Sequence, residues 1–136
     1  MALKYSRQRQ AVWDFMKNRT DHPSAETVYV QLRKSFPNIS LGTVYRNLLV
    51  LKDVGQLATV EAGDGILHFD PRTARHDHLV CDACGCIFDI DRAQDDTLLE
   101  MVSQVFPGKV SGYSILYRGI CPACLARTDK TETPPL

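Results

Sequence analysis

The chain has 136 residues, of which 44% are hydrophobic, enough to build one ordinary domain or two small ones around an apolar core. No segment approaches the roughly 20 consecutive apolar residues of a membrane helix, and the first residues lack the apolar core of a signal peptide. We therefore expect a cytoplasmic protein with no membrane partner. In that reducing compartment, the five cysteines are expected to bind metal or act in redox chemistry rather than form disulfides.

Charge is unevenly distributed although the formal net charge is zero. Residues 1–55 contain nine Lys and Arg against four Asp and Glu, a net charge of +5. Residues 56–126 contain five basic and ten acidic residues, a net charge of −5. A basic half suits a phosphate-rich partner and an acidic half suits divalent cations, the alternative being chance segregation of solvated charges.

Helical periodicity runs through the basic half. Val12, Phe15 and Met16 recur at helical spacing, which predicts a first helix. Ser24 is a candidate N-cap for a second helix, whose apolar positions continue to the residue before Pro37.

A third helix is predicted to follow Ser40, another N-cap candidate, and to end at Gly55. The next segment is strand-like on both sides of Asp64-Gly65, a pair typical of hairpin turns because both positions tolerate positive φ. Three helices and a hairpin are the order of a winged helix, whose third helix enters the DNA major groove. The alternative is a small helical core with no nucleic-acid role. The polar face of the third helix offers Thr43, Arg46 and Asn47.

Short strands and one helix follow Pro71, which predicts a second, α+β domain. The strands are expected over residues 79–81, 87–90 and 110–120, and the helix is expected to stop at Pro107-Gly108. The predicted boundaries are 1–70 for the winged-helix domain, 71–126 for the second domain and 127–136 for a disordered tail.

Two Cys-x-x-Cys pairs, Cys81 with Cys84 and Cys121 with Cys124, each present two thiolates in a tight turn. Together they complete a tetrahedral sulfur shell for Zn²⁺ with no open position, so the site is expected to be structural rather than catalytic. A thiol–disulfide redox centre at one pair is the competing interpretation. Cys86 is interpreted as a residue that neither binds the metal nor reacts; the alternatives are a substitute metal ligand and a reactive thiol.

Histidines and carboxylates form a second candidate set. His76 and His78 fall on the same side of an extended segment, because strand side chains alternate. Asp70 and Asp89 are nearby in sequence, and such mixed nitrogen and oxygen ligands suit Fe²⁺, Mn²⁺ or Zn²⁺. Taken singly, each histidine could instead be a surface or hydrogen-bonded residue, and spacing alone does not bring His22 to the others.

These motifs together resemble the ferric uptake regulator (Fur) superfamily. The resemblance implies an α+β protein, in which a winged-helix DNA-binding domain precedes a small α/β dimerisation domain with a Cys₄ zinc site. The matching segments are Asp21-His22-Pro23-Ser24-Ala25, Thr43-Val44-Tyr45-Arg46-Asn47-Leu48, His68-Phe69-Asp70, His76-Asp77-His78-Leu79-Val80-Cys81-x-x-Cys84-Gly85 and Cys121-Pro122-x-Cys124.

The function implied by the resemblance is a metal-dependent transcriptional repressor, not an enzyme, that binds double-stranded operator DNA as a homodimer. Fe²⁺ or Mn²⁺ at the hinge between the domains would be the corepressor, favouring a closed dimer that fits successive major grooves. Two other functions fit the sequence less well. A metallohydrolase would not explain the basic half, and a zinc-stabilised protein-interaction module would not explain the histidines and carboxylates. The regulatory ligands carried over from the family are His22, Asp70, His76, His78 and Asp89.

Asp89 resembles the peroxide-stress regulator branch of the family, since iron sensors usually carry Glu there. In that branch H₂O₂, the only small-molecule signal expected, reacts at bound Fe²⁺ and oxidises ligand histidines, which here would be His22 and His76. The Arg at position 46 is more typical of iron sensors. An iron-sensing, or zinc- or manganese-sensing, repressor without peroxide chemistry is therefore the alternative.

For two residues of the third helix, the sequence allows more than one role. Arg46 can take guanine O6 and N7 with its guanidinium fork, or it can contact a phosphate. Tyr45 either reaches DNA, as in the family, or packs on the apolar face with Leu41 and Leu48.

Overall fold

The computed structural model describes residues 6–92 and 97–130, and the chain divides into two compact units, Met1–Ala74 and Arg75–Leu136. The predicted boundary after Asp70 falls within the first of these units. In the described residues, no helix is both long enough and apolar enough to cross a membrane.

The first unit is a winged helix, as its periodicity predicts. Its helices and strands are α1 (Arg7–Met16), α2 (Ala25–Leu32), α3 (Leu41–Asp53), β1 (Ala58–Glu61) and β2 (Leu67–Asp70). The two strands pair antiparallel, with Ala58 opposite Asp70.

Serine hydroxyls begin the second and third helices. Ser24 Oγ accepts the backbone N–H of Thr27 at 3.3 Å, and Ser40 Oγ accepts that of Thr43 at 3.1 Å. Both predicted N-caps are thereby confirmed, because each hydroxyl satisfies a backbone donor that has no partner within its helix. The second helix ends at Leu32, short of its predicted end, and residues 33–35 continue as hydrogen-bonded turns before Pro37.

The hairpin turn differs from the prediction. Gly63 and Gly65 adopt positive φ, of 81° and 75°, whereas Asp64 does not. The loop therefore spans residues 62–66 rather than a two-residue turn. The Asp64 carboxylate accepts the backbone N–H of Ile66 at 3.0 Å, which stabilises the loop from a side chain.

An apolar core joins the hairpin to the helices. Phe69 of β2 is fully buried, together with Met16 of α1, Val28 of α2 and Leu48 of α3. Complete burial of each such side chain stabilises the fold by roughly 1.5–3 kcal/mol. This core fixes β2 against the three helices.

The second unit contains a three-stranded sheet in the order β4-β3-β5. The central strand β3 pairs antiparallel with β4 and parallel with β5. The elements are β3 (Asp77–Cys81), β4 (Ile87–Ile90), α4 (Thr97–Val105), β5 (Leu116–Gly119) and α5 (Pro122–Lys130).

Three predictions for the second unit need correction. The strand predicted over 110–120 is limited to Leu116–Gly119, because only these residues have partners on β3, and β3 starts at Asp77 rather than at residue 79. Residues 127–130 belong to α5 and are not disordered, since Pro122 suits a first helical turn and Ala and Leu favour its continuation. Residues 131–136 of the predicted tail lie outside the described residues.

Candidate metal centres and nucleic-acid interface

A cluster of four thiols lies at one end of the second unit's sheet. Cys81 ends β3 and Cys84 follows in a turn, while Cys121 precedes α5 and Cys124 lies within it. The parallel pairing of β3 with β5 brings the two pairs together, and all four sulfur atoms lie within 4.8 Å of one another. The Sγ atoms of Cys84 and Cys121 are 3.8 Å apart. A tetrahedron with Zn–S bonds of about 2.3 Å has edges of about 3.8 Å, so the four thiols fit a zinc ion.

The thiols of this cluster differ in their electrostatic surroundings. The backbone N–H groups of Cys121 and Cys84 donate to Cys81 Sγ at 3.3 and 3.5 Å and lower the pKa of Cys81 to about 6. Burial raises the pKa of Cys124 to about 12, although Arg127 donates to its sulfur at 2.8 Å. A bound cation would favour the thiolate form of Cys124, against the effect of burial. Cys86 is exposed and is not one of the four cysteines in the cluster.

His22 and Asp70 form a buried pair in the first unit. His22 Nε2 lies 3.2 Å from Asp70 Oδ2, and both side chains are almost fully buried. The other carboxylate oxygen of Asp70 accepts the backbone N–H of Arg72 at 2.9 Å. The segment before α2 runs beside β2, where the N–H of Phe69 donates to the carbonyl of Pro23 at 3.0 Å. This pairing explains how His22 reaches a residue far away in sequence.

His76, His78 and Asp89 form a cluster in the second unit. Asp89 of β4 lies opposite His78 of β3, and the imidazole rings of His76 and His78 are 4.4 Å apart. Asp89 Oδ1 lies 2.7 Å from His76 Nε2 and 3.4 Å from His78 Nε2. Two imidazole nitrogens and a carboxylate oxygen therefore converge, a donor set that suits Fe²⁺, Mn²⁺ or Zn²⁺.

Asp77, between the two histidines in sequence, is buried and accepts hydrogen bonds from other partners. Arg92 Nε and the Tyr117 hydroxyl both donate to Asp77 Oδ2, the latter at 2.9 Å. Burial raises the pKa of Asp77, but these two hydrogen bonds outweigh it and leave the pKa below its ordinary value. This network anchors the start of β3.

The third helix presents the predicted nucleic-acid residues. Arg46 and Tyr45 are exposed, and Arg46 donates to the Thr43 hydroxyl at 3.1 Å. Asn47 is half-buried. Tyr45 also makes an edge-to-face contact with Phe69, with ring centroids 6.4 Å apart, so one side of the ring packs while the other stays open.

Helix α4 of the second unit has no buried residues. Its exposed apolar side chains include Met101 and Val105, which are 59% and 82% exposed, and Phe106 follows directly. Such a patch on a short helix is typical of a protein–protein interface.

Some residues of these sites were not predicted from the sequence. Asp77, Arg92 and Tyr117 meet only through strand pairing, which no local pattern reveals. Arg127 lies three residues after Cys124, a helical spacing that would have indicated the contact had α5 been predicted.

Comparisons with known proteins agree with this arrangement. The profile of the Ferric uptake regulator family matches residues 1–110. A protein from Staphylococcus epidermidis named "Peroxide-responsive repressor PerR" is 34% identical over 122 residues, which cover 90% of this chain and 81% of that protein. The solved peroxide stress regulator of Campylobacter jejuni is 29% identical, with a TM-score of 0.67 over 86% of this chain and 88% of that one. The solved Helicobacter pylori ferric uptake regulator is 23% identical, with a TM-score of 0.75 over 90% and 83% of the two chains. This chain belongs to the ferric uptake regulator family.

Proposed function

We propose that the protein is a metal-dependent, DNA-binding transcriptional repressor that senses peroxide. The observation that carries this proposal is the 34% identity, over 90% of the chain, to a protein named as a peroxide-responsive repressor. Asp89, whose carboxylate lies 2.7 Å from His76 Nε2, also supports peroxide sensing, because iron sensors of the family usually carry Glu at this position.

Helix α3 is the proposed recognition helix. Its exposed Arg46 can donate two hydrogen bonds to guanine in the major groove. The net charge of +5 over residues 1–55 supports binding to operator phosphates. The proposed contacts to double-stranded DNA come from Thr43, Tyr45, Arg46 and Asn47.

The four-cysteine cluster is proposed to hold a structural Zn²⁺. Its sulfur spacing fits a tetrahedral shell, and four protein ligands leave no position for a substrate. The zinc would tie the end of β3 to the start of α5.

We propose that the histidine and carboxylate ligands act together on one Fe²⁺ or Mn²⁺. Three imidazoles and two carboxylates suit either ion. Because the ligands belong to both units, metal binding would favour one arrangement of the DNA-binding unit and so raise its affinity for the operator. The proposed ligands are His22, Asp70, His76, His78 and Asp89.

Peroxide sensing would act on the same ligands. Bound Fe²⁺ would supply the redox chemistry that activates H₂O₂ beside His22 and His76. Each oxidised imidazole gains one oxygen atom, and the rest of the peroxide leaves as water. The modified ring is a poorer ligand, so the metal-dependent affinity for DNA would be lost.

A second copy of the chain is the proposed occupant of the apolar α4 face. Two such faces related by a two-fold axis would bury Met101, Val105 and Phe106 against each other. The resulting homodimer would present two recognition helices to a two-fold symmetric operator.

A DNA shift assay tests the corepressor role. Operator fragments are first selected from random-sequence DNA with Mn²⁺ present, and binding is then compared with and without Mn²⁺ or Fe²⁺. We expect about a tenfold or larger gain in affinity with metal. Arg46→Ala should weaken binding both with and without metal, because it removes a DNA contact and leaves the metal ligands intact. Affinity that is indifferent to metal would contradict the proposal.

Intact-mass and peptide mass spectrometry after Fe²⁺ loading and mild H₂O₂ test the peroxide branch. We expect one added oxygen atom on His22 or His76, blocked when Mn²⁺ replaces Fe²⁺ and reduced in Asp89→Glu. Unmodified histidines with oxidised cysteines would instead favour an iron-sensing repressor without peroxide chemistry.

A further inference from the structure

His68 of β2 connects the backbone of a proposed metal ligand to the hairpin loop. Its Nδ1 lies 2.9 Å from the carbonyl oxygen of His22, and its Nε2 lies 2.8 Å from Asp64 Oδ2. The His68 side chain is 14% exposed and that of Asp64 is 39% exposed, so the hydrogen bond to the His22 carbonyl is the better shielded of the two. A backbone carbonyl can only accept a hydrogen bond, so the Nδ1–H group of His68 donates to that of His22.

His22 needs such an anchor because its backbone is unusual. Its φ is 53°, in the left-handed region that residues other than glycine rarely adopt, and no other non-glycine residue of the described chain has positive φ. This conformation turns the His22 carbonyl towards His68 and its imidazole towards Asp70, 3.2 Å away. Backbone strain of this kind persists only when surrounding contacts hold it.

Strand β2 also carries the other half of this pair. His68 and Asp70 alternate along the strand with Phe69 between them, and Ser24 forms a bridge with His68. One short strand therefore contacts both the backbone and the imidazole of His22.

We propose that His68 is a positioning residue for the regulatory metal site: it holds the His22 carbonyl and thereby aims the His22 imidazole for metal binding. Asp64 fixes the far side of the His68 ring. The inference rests on the proposed role of His22 as a ligand, and it adds an outer residue that the family motif does not assign. Outer groups that orient metal-binding histidines typically change affinity by about 10–100-fold when removed.

The test uses the full-length, zinc-loaded protein and Mn²⁺ binding followed by electron paramagnetic resonance of the free ion. We expect His68→Ala to weaken Mn²⁺ binding by about tenfold or more. His68→Asn should recover most of the affinity, because its amide can donate from near the Nδ1 position. Asp64→Asn should cause a smaller loss. Glu61→Gln, an equal charge change on β1, should cause none.

A second measurement separates positioning from general damage. At saturating Fe²⁺ with mild H₂O₂, His68→Ala should lower the ratio of oxidised His22 to oxidised His76 at least threefold, whereas a merely less stable protein would keep the ratio. Unchanged Mn²⁺ affinity with an unchanged ratio in His68→Ala would overturn the proposal.

Two controls keep the result interpretable. If His68→Ala does not fold, His68→Asn is compared with His68→Gln, whose amide reaches only the Nε2 position; equal Mn²⁺ affinities would overturn the proposal. If His22→Ala binds Mn²⁺ as the unmodified protein does, the proposed ligand set is wrong, which is a different failure from that of His68.

Discussion

The two units of the chain differ in the kind of buried core that stabilises each of them. The first unit buries large apolar side chains, among them Phe69, Met16 and Leu48. Among the described residues of the second unit, Cys81, Cys121 and Cys124 form a buried cluster, and the buried aliphatic side chains are Val80 and Ile87. A core of apolar side chains stabilises itself by burial, whereas a core of thiols depends on a metal. The comparison predicts that the first unit is stable by its own packing and that the stability of the second unit depends on the proposed zinc ion.

Removing a ligand of the proposed zinc site should have the largest effect on this comparison. Cys124→Ser should unfold the second unit, because a structural zinc site contributes on the order of 10 kcal/mol to folding. Hydrogen exchange followed by mass spectrometry should show loss of protection in β3 and β5, while amides of α3 remain protected.

Cys86→Ser is the matched control, because this cysteine is outside the cluster and its thiol is exposed. It should leave protection in both units unchanged. Equal loss of protection in α3 and β3 of Cys124→Ser would show that the two units do not differ in the way described.

Phe69→Ala is the corresponding change in the first unit. Loss of this fully buried ring should destabilise the unit by about 3–5 kcal/mol, since the helices cannot close the cavity. Urea unfolding can be followed through Trp13, the single tryptophan, which packs against this core. Phe88→Ala, at an exposed position of β4, should leave the urea midpoint of the Trp13 transition unchanged. A similar shift in both variants would count against separate cores.

Ser40→Ala should produce the smallest effect, about 1 kcal/mol, because it removes the N-cap of α3, the proposed recognition helix, and leaves the core intact. The same Trp13 transition measures it. Ser40→Asp should restore the stability, since a carboxylate also caps, and failure of this rescue would mean that the hydroxyl acts in another way.

Local patterns were sufficient to predict the order of helices and strands in the first unit, although not the end of α2 or the form of the hairpin turn. Helical spacing and two capping serines, Ser24 and Ser40, indicate the helices that the structure contains. The second unit was harder to predict from the sequence, because the limits of β5 are set by its pairing with β3 rather than by its own composition. Helix α5 was missed because its polar C-terminal residues have the composition of a disordered tail.

The candidate sites also divide into parts that local patterns predicted and parts that depend on contacts between distant residues. Spacing predicted the four-cysteine cluster, and alternation along a strand predicted that His76 and His78 share a side. The role of His68 could not be predicted, because it depends on a carbonyl at position 22 and a carboxylate at position 64. Backbone acceptors leave no trace in a sequence. The ligand set as a whole came from family resemblance and stays a proposal.

The parallel pairing of β3 with β5 has a consequence for biosynthesis. The last cysteine of the proposed zinc site, Cys124, is separated in sequence from the first, Cys81, by most of the second unit. During translation the winged helix can fold as soon as it leaves the ribosome, because its core ends at Phe69. The thiols of Cys81 and Cys84 must wait for the rest of the unit to be synthesised. With the proposed structural zinc, the supply of this ion would therefore decide whether the second unit folds or is exposed to proteases.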